Sequence, residues 1–190
     1  MAADYPDIPA ASQPLLLVGG GGHCRSVIDV IEHHQGFSIR GIVQPATEGH
    51  RPVLGYPVVG TDADLPALLA ETPCALITVG QIKSPAIRRR LFERLHEQGA
   101  KLPVIISPRA HVSRHARIAA GSVVMHGTIV NACASIGYNA IINTLALVEH
   151  DVTIGDHCHI ATGARLNGGV RVDAGCFIGS GAIVHQGVHI

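Results

Sequence analysis

Several residue types that would point to a common functional class are scarce or absent in this chain. There is no tryptophan, aromatic residues make up 3% of the 190 positions, and charged residues make up only 15%. The 14 Lys and Arg residues balance the 14 Asp and Glu residues, so no basic surface is available to neutralise phosphates, and nucleic acid is not expected as a partner. No apolar run approaches the roughly 18 residues of a membrane span, so we expect no membrane partner either.

The cysteines form no recognisable framework. Their number, five, is odd, and no two of them make a CxxC pair, so neither a disulfide scaffold nor a zinc knuckle is predicted. The first twelve residues carry two acids and two prolines, whereas a secretory signal begins with basic residues and an apolar stretch. We therefore expect a cytoplasmic protein.

The composition changes abruptly near residue 110. All 11 prolines lie at or before Pro108, and the 79 residues from Val112 onwards contain no proline, no lysine and only eight charged side chains. Such a break indicates a domain boundary. We predict a tail over residues 1–13, one domain over 14–110 and a second over 111–190.

The second domain contains an internal repeat of six residues. From Val112 to Ile190 every sixth residue is Val, Ile or Leu, at 14 of 14 positions. Neither a helix nor an ordinary hairpin has this period. A triangular parallel β-helix does, since each hexapeptide supplies one short strand and a turn, with the large aliphatic residue inside. Three hexapeptides complete a coil, so residues 18 apart should stack.

The first domain is predicted to be a Rossmann-like α/β unit. A strand at Leu15–Val18 leads through Gly19–Gly22 into a helix from Cys24 to His34. The alternation of strands and helices favours a small parallel sheet. Further strands are expected at Ser38–Val43, Cys74–Val79 and Pro103–Ile106, and further helices at Asp62–Glu71 and Pro85–Gln98, with Arg88, Arg89 and Arg90 on a solvated helix face.

The glycine-rich turn admits three interpretations. Glycines between a strand and a helix let backbone N–H groups approach a phosphate. A dinucleotide site is disfavoured because Cys24 replaces the third glycine of its motif and Gln44 replaces the acid that would hold a ribose. A purely structural tight turn and a site for a nucleotide-linked or anionic sugar both remain open.

Together, these features resemble a known family. The turn Gly19–His23, the hexapeptide repeat, and the segments Ile142–Thr144 and Val148–Asp151 are similar to those of the bacterial sialic acid O-acetyltransferase family, over Leu15 to Ile190. That family includes N-acetyltransferases of nucleotide-linked amino sugars. The resemblance implies a left-handed β-helix, acetyl-CoA as co-substrate, a sugar acceptor, and a homotrimer with active sites between subunits. N- and O-acetylation both stay open, and Gln44-Pro45, where relatives carry acids, leaves the acceptor's identity open too.

His150 has the features of a general base. It is the histidine of the repeat domain flanked by acids on both sides, Glu149 and Asp151, and it falls near a turn, where its ring should be accessible. A neutral imidazole can take a proton from an attacking amine or hydroxyl, and a carboxylate on its other nitrogen fixes the tautomer. By resemblance His150 is the base and Asp151 the acid that orients it; the alternative is an exposed turn histidine.

Stacking and resemblance suggest the remaining site residues. Gly168 lies 18 residues after His150 and should stack on it, leaving room for a thioester and offering an N–H to the oxyanion, although a simple turn is also possible. His159, nine residues from His150, should lie on another side of the prism; the resemblance assigns it a contact with the acetyl-CoA thioester. The resemblance also places Gly22, His23 and Asn143 at the acceptor.

No metal is predicted. The run Asp156–His159 would not converge on one ion, because alternate residues of a strand face opposite ways. Two other classes of protein remain as alternatives: a non-catalytic sugar-binding scaffold and a zinc hydratase like carbonic anhydrase. The repeat is still running at Ile190, whereas the resemblance implies further coils and a C-terminal tail. Either the chain is shortened or the trimer and its neighbours cover the open coil, and we expect weakened coenzyme affinity.

Overall fold

The computed structural model describes residues 12–34, 36–49 and 51–190. These residues form two compact units. The first unit extends to Gly80 and takes in Ile87–Pro103, and the second comprises Gln81–Ala86 and Val104–Ile190. The predicted tail over residues 1–13 lies almost wholly outside the described residues.

The first unit is built on a four-stranded sheet. The strand order is β3-β2-β1-β4, and every neighbouring pair is parallel, as the alternating strand and helix signals predicted. The short strand β3 was not predicted. In the described part of the chain, no helix combines the length and the apolar character needed to cross a bilayer. The elements are β1 (Gln13–Val18), α1 (Gly22–Glu32), β2 (Phe37–Val43), β3 (Val58–Gly60), α2 (Leu65–Glu71), β4 (Ala75–Ile77) and α3 (Ala86–Glu97).

Close packing explains the first glycines of the turn after β1. Gly19 has a φ of +111°, and a Cβ built on it would lie 2.5 Å from Cγ2 of Val79. A Cβ at Gly20 would collide with the side-chain oxygen of Gln44, whose Nε2 donates to the carbonyl of Gly49 at 2.7 Å. Position 19 therefore requires glycine, and a side chain at position 20 would force the buried Gln44 to move.

The prediction of a solvated arginine cluster on α3 is wrong for Arg88. Its side chain is buried, and Nη1 donates to the carbonyls of Ile77, at 3.2 Å, and Val79, at 2.6 Å. Burial lowers the pKa of the guanidinium to about 9. Arg88 thus satisfies main-chain carbonyls at the end of β4, whereas Arg89 and Arg90 are exposed.

The second unit is a left-handed parallel β-helix of 14 two-residue strands. Each strand ends on an aliphatic residue, and from β6 onwards that residue belongs to the predicted hexapeptide series. The strands are β5 (Ile105–Ile106), β6 (His111–Val112), β7 (Arg117–Ile118), β8 (Val123–Val124), β9 (Ile129–Val130), β10 (Ser135–Ile136), β11 (Ile141–Ile142), β12 (Leu147–Val148), β13 (Thr153–Ile154), β14 (His159–Ile160), β15 (Arg165–Leu166), β16 (Arg171–Val172), β17 (Phe177–Ile178) and β18 (Ile183–Val184).

These strands form three sheets, one for each face of the prism. The first face contains β5, β8, β11, β14 and β17, the second β6, β9, β12, β15 and β18, and the third β7, β10, β13 and β16. Residues 18 apart pair in register, as in Ile142 with Ile160. The predicted coil of three hexapeptides is therefore confirmed, although β5 had been assigned to the α/β sheet. The helix begins at Ile105, before the change in composition.

The turns between faces share one backbone conformation. From Gly121 to Gly187 every sixth residue has a positive φ. Seven of these positions are glycine, which adopts this conformation without strain. The other five fall in consecutive hexapeptides and carry side chains there: Cys133, Asn139, Leu145, Asp151 and His157.

Candidate active site

His150 and Asp151 lie in the turn between β12 and β13. Oδ2 of Asp151 is 2.8 Å from Nδ1 of His150, and the side chains are 60% and 64% exposed for His150 and Asp151, respectively. A carboxylate can only accept a hydrogen bond, so Nδ1 carries the proton and Nε2 of a neutral ring has a free lone pair. This is the tautomer that a general base needs.

The positive φ of Asp151 makes this contact possible. With φ at +61°, the backbone turns back and brings the carboxylate onto the ring of the preceding residue. Asp and Asn are the side-chain residues that tolerate this conformation best after glycine. The sequence therefore places an acid at a turn position from which its carboxylate reaches the ring of His150.

Gly168 lies one coil beyond His150, as the repeat predicted. A Cβ built on Gly168 would be 2.7 Å from both Cε1 and Nε2 of the His150 ring. Any larger residue would push the imidazole aside. Among the described residues, the N–H of Gly168 has no hydrogen-bond acceptor, so it is available as a donor.

The second acid beside His150 has a different partner. Oε2 of Glu149 accepts a hydrogen bond from Nδ2 of Asn131, at 2.8 Å, and from the backbone N–H of His150, at 3.3 Å. Glu149 therefore holds the main chain of the turn, while Asp151 holds the ring. The sequence analysis missed Asn131, although its position 18 residues before Glu149 could have indicated the pair.

His159 and Asn143 form a second group, on the first face and the turn that follows it. His159 begins β14, its neighbour across the sheet is Ile141 of β11, and Asn143 follows Ile142. Nε2 of His159 is 3.0 Å from Nδ2 of Asn143, and Nδ1 is 2.6 Å from the carbonyl oxygen of Gln81. His150 follows the second face, so the two histidines lie on different sides of one prism, as predicted. Both ring nitrogens of His159 already have partners within the chain.

Gly22 and His23 open helix α1 in the other unit. The helix is preceded by Gly21, has no side-chain cap and has no acid in its first turn. A Cβ on Gly21 or Gly22 would meet nothing within 4 Å. Unlike Gly19 and Gly20, these two glycines are not required by packing, and they leave the first N–H groups of the helix open to a ligand.

Comparison with known proteins places both units in one family. Residues 14–95 match the family model described as the PglD N-terminal domain. A His→Asn variant of perosamine N-acetyltransferase from Caulobacter crescentus, solved with CoA and GDP-perosamine, is 31% identical over 93% of this chain and 90% of that one, with a TM-score of 0.81. The chain belongs to the hexapeptide-repeat nucleotide-sugar acetyltransferases of bacteria.

Two further structures are similar to this acetyltransferase. The acetyltransferase domain of PglB from Neisseria gonorrhoeae, solved with acetyl coenzyme A, is 29% identical over 94% of this chain and 93% of that one, with a TM-score of 0.75. WeeI from Acinetobacter baumannii is 18% identical over 94% and 96% of the two chains, with a TM-score of 0.62, and shows a shared fold. Family membership favours an acetyltransferase over the scaffold and hydratase alternatives.

Proposed function

We propose that this acetyltransferase transfers the acetyl group of acetyl-CoA to the amino group of a nucleotide-linked sugar, with His150 as general base. Solved relatives hold acetyl coenzyme A, or CoA with GDP-perosamine, and one of them is named as an N-acetyltransferase. The observation that carries the mechanism is the contact between Asp151 and Nδ1 of His150, which leaves Nε2 ready to accept a proton.

The reaction needs one proton transfer in each direction. The sugar amine attacks the thioester carbon and forms a C–N bond, while Nε2 of His150 takes a proton from the nitrogen. The tetrahedral intermediate then collapses, the C–S bond breaks, and the imidazolium returns its proton to the departing CoA sulfur. Asp151 stabilises the imidazolium while it exists.

Gly168 is proposed to stabilise the oxyanion. Negative charge develops on the former carbonyl oxygen when the amine attacks, and a fixed N–H donor lowers the energy of that state. The N–H of Gly168 has no acceptor among the described residues, and its α-carbon packs against the imidazole. The absence of a side chain at Gly168 thus leaves room for the thioester and also lets the His150 ring keep its position.

The acceptor is proposed to contact Gly22, His23 and Asn143. The uncapped first turn of α1 suits an anionic group, such as the diphosphate of a nucleotide sugar. Asn143 is half-buried and presents an amide on the β-helix surface. We assign His159 to the same site; the resemblance implies a contact with the acetyl-CoA thioester, but both of its ring nitrogens are engaged here by Gln81 and Asn143.

A homotrimer is proposed as the working form. On the second face, the outward residues Ile129, Leu147 and Ile183 are apolar and partly or fully exposed, with the exposed Arg165 between the last two, whereas the outward residues of the third face are polar. Apolar side chains that gather on one exposed face favour a protein contact there. One chain holds His150 and His159 on different sides of the prism, and a trimer could bring the His159 of one subunit to the His150 of another.

The proposal is tested by thiol release from acetyl-CoA with a panel of acceptors. We expect turnover with GDP- or UDP-linked 4-amino sugars and loss of roughly 10²–10⁴-fold in kcat for His150→Ala, the usual share of a general base. Free and CMP-linked sialic acids form the second arm, because the sequence left O-acetylation open. An unchanged rate in His150→Ala would reject the mechanism, and turnover with sialic acids alone would reject the amino-sugar acceptor.

A further inference from the structure

The imidazole of His159 is buried, and its hydrogen-bond partners determine which ring nitrogen carries the proton. The ring is 7% exposed, and its Nδ1 lies 2.6 Å from the main-chain oxygen of Gln81. A carbonyl oxygen can only accept a hydrogen bond. Nδ1 therefore carries a proton, and in the neutral ring Nε2 does not.

The other side of the ring leads to the same assignment. The N–H of Thr144 donates to Oδ1 of Asn143 at 2.8 Å, which fixes the orientation of the Asn143 amide. Nδ2 of that amide then faces Nε2 of His159 at 3.0 Å. An amide nitrogen donates and does not accept, so Nε2 is the acceptor. A backbone atom at each end of this network, the N–H of Thr144 and the carbonyl oxygen of Gln81, therefore fixes the orientation of the Asn143 amide and the tautomer of the His159 ring.

Gln81 is itself held in place. Its side chain is 3% exposed, and Nε2 lies 3.3 Å from the carbonyl oxygen of Gly175 and 3.5 Å from that of Cys176. Cys176 precedes Phe177, which packs edge-on against the His159 ring with centroids 5.2 Å apart. The segment that begins at Gln81 is thereby tied to the coil above His159.

We infer that His159 is a positioning residue that acts through Asn143, with Gln81 fixing its tautomer. In this arrangement Nε2 of His159 has no hydrogen to give to a thioester carbonyl. Asn143 keeps its second Nδ2–H, and this is the group that contacts the substrate. The inference rests on the proposed function for the identity of the substrate, but not for the state of the ring.

The first experiment observes the ring directly. In uniformly ¹⁵N-labelled protein, two-bond ¹H–¹⁵N spectra report which imidazole nitrogen carries the proton, and His159→Gln assigns the signal. We expect His159 to carry its proton on Nδ1 only. His185, an exposed histidine of the same unit, provides the reference for a ring in solvent. A proton on Nε2 of His159, alone or together with Nδ1, would overturn the inference.

The second experiment is a double-mutant cycle between His159 and Asn143. Asn143→Ala should lower kcat/KM for the sugar acceptor by roughly 10²-fold, the usual effect of removing one preorganised donor. His159→Ala should give a similar loss, because the Asn143 amide is no longer held, and the double variant should be no worse than the poorer single one. Losses that multiply, or an effect of His159→Ala confined to KM for acetyl-CoA, would favour direct contact instead.

Gln81→Met supplies the third observation. Methionine fills the same volume and keeps the main-chain carbonyl, but it cannot donate to Gly175. We expect a loss of roughly ten-fold in kcat/KM in the wild-type background and none in the Asn143→Ala background. Equal losses in both backgrounds would mean that Gln81 acts on something other than the Asn143 amide.

Failure of this inference is distinguishable from failure of the proposed function. If His150→Ala retained full activity, the general-base mechanism would fall while the ¹⁵N spectra still reported the tautomer of His159. If His150→Ala were inactive and His159 carried its proton on Nε2, only the positioning role would fall.

Discussion

Oδ2 of Asp151 lies 2.8 Å from Nδ1 of His150, although the two residues are consecutive in the chain. Neighbouring side chains seldom meet in this way, and here the contact depends on the left-handed backbone of Asp151. The acid and the base of the proposed mechanism are therefore delivered by a single turn of the β-helix. This turn is the natural starting point for testing the site.

Asp151→Gly and Asp151→Asn separate the acid's chemistry from its backbone. Glycine prefers a positive φ, so Asp151→Gly should not lower the melting temperature, yet it should reduce kcat by roughly 10²-fold or more because the ring loses its orienting acceptor. Asp151→Asn keeps the shape of the side chain without its charge, so its kcat should lie between those of Asp151→Gly and the wild type. Steady-state rates and thermal melts of the three proteins check this. Full activity in Asp151→Gly would exclude a role for the carboxylate.

Gly168→Ala should disable the enzyme without unfolding it. The added methyl group would occupy the space of Cε1 and Nε2 of His150, so the ring must swing away from the thioester. We expect kcat to fall by roughly 10²-fold with a melting temperature close to that of the wild type. Gly179→Ala is the matched control, because a Cβ there meets nothing within 4 Å and φ is not positive. Equal activity of the two variants would contradict the proposed geometry.

Leu145→Gly should make the protein more stable. Leu145 is 64% exposed and has a φ of +60°, a conformation that costs a side-chain residue roughly 1–2 kcal/mol relative to glycine. Leu54→Gly in the α/β unit is a matched comparison, with 58% exposure and a φ of +49°. Both should raise the free energy of unfolding by about 1 kcal/mol, as measured in urea. A loss of stability in Leu145→Gly alone would show that its contact over Gly127 outweighs the strain.

Native protein should contain one rapidly reacting thiol. Cys133 is exposed, whereas Cys24, Cys74 and Cys158 are buried, and burial raises the pKa of all three thiols, that of Cys158 to about 11. The thiolate is the reactive species, so at pH 8 these three should react slowly until the chain unfolds. Titration with a chromogenic disulfide should therefore show one fast equivalent, absent from Cys133→Ala. A fast equivalent that persists in Cys133→Ala would point to the half-buried Cys176.

Ile183→Lys should weaken the proposed trimer. A lysine in place of Ile183 on the second face would have to lose its hydration on association, which opposes contact. Thr153→Lys, also on an outward exposed strand position but on the polar third face, should leave assembly unchanged. Light scattering coupled to size exclusion measures both. Equal masses for Ile183→Lys and wild type would place the subunit contact elsewhere.

The β-helix was predictable because its signal is periodic. One aliphatic residue in every six specifies the strand, the inward direction and the stacking, so the approach of Gly168 to His150 followed from adding 18. The six-residue period gives no information about contacts with residues that lie outside the repeat. Gln81 is 78 residues from His159, and nothing in the hexapeptides indicates their hydrogen bond.

Errors in the prediction arose where local composition disagreed with long-range packing. Ile105–Ile106 precedes the last proline and was assigned to the α/β sheet, yet it pairs with Val123–Val124 of the β-helix. Arg88 belongs to an arginine run that is typical of a solvent-exposed helix face. Its guanidinium is nevertheless buried, where it donates to the carbonyls of Ile77 and Val79 at the end of β4. In both cases the hydrogen bonds to residues distant in sequence determine the structure, and the preferences of single residues do not predict those bonds.

The segment Gln81–Ala86 groups with the β-helix although the residues on both sides of it belong to the α/β unit. Within the described residues, the polypeptide consequently passes from one unit to the other at three points. A β-helix excised at Val104 for separate expression would keep every coil but would leave Nδ1 of His159 without its acceptor. Separate expression of the β-helix with His159 held as in the whole chain would therefore require grafting those six residues back.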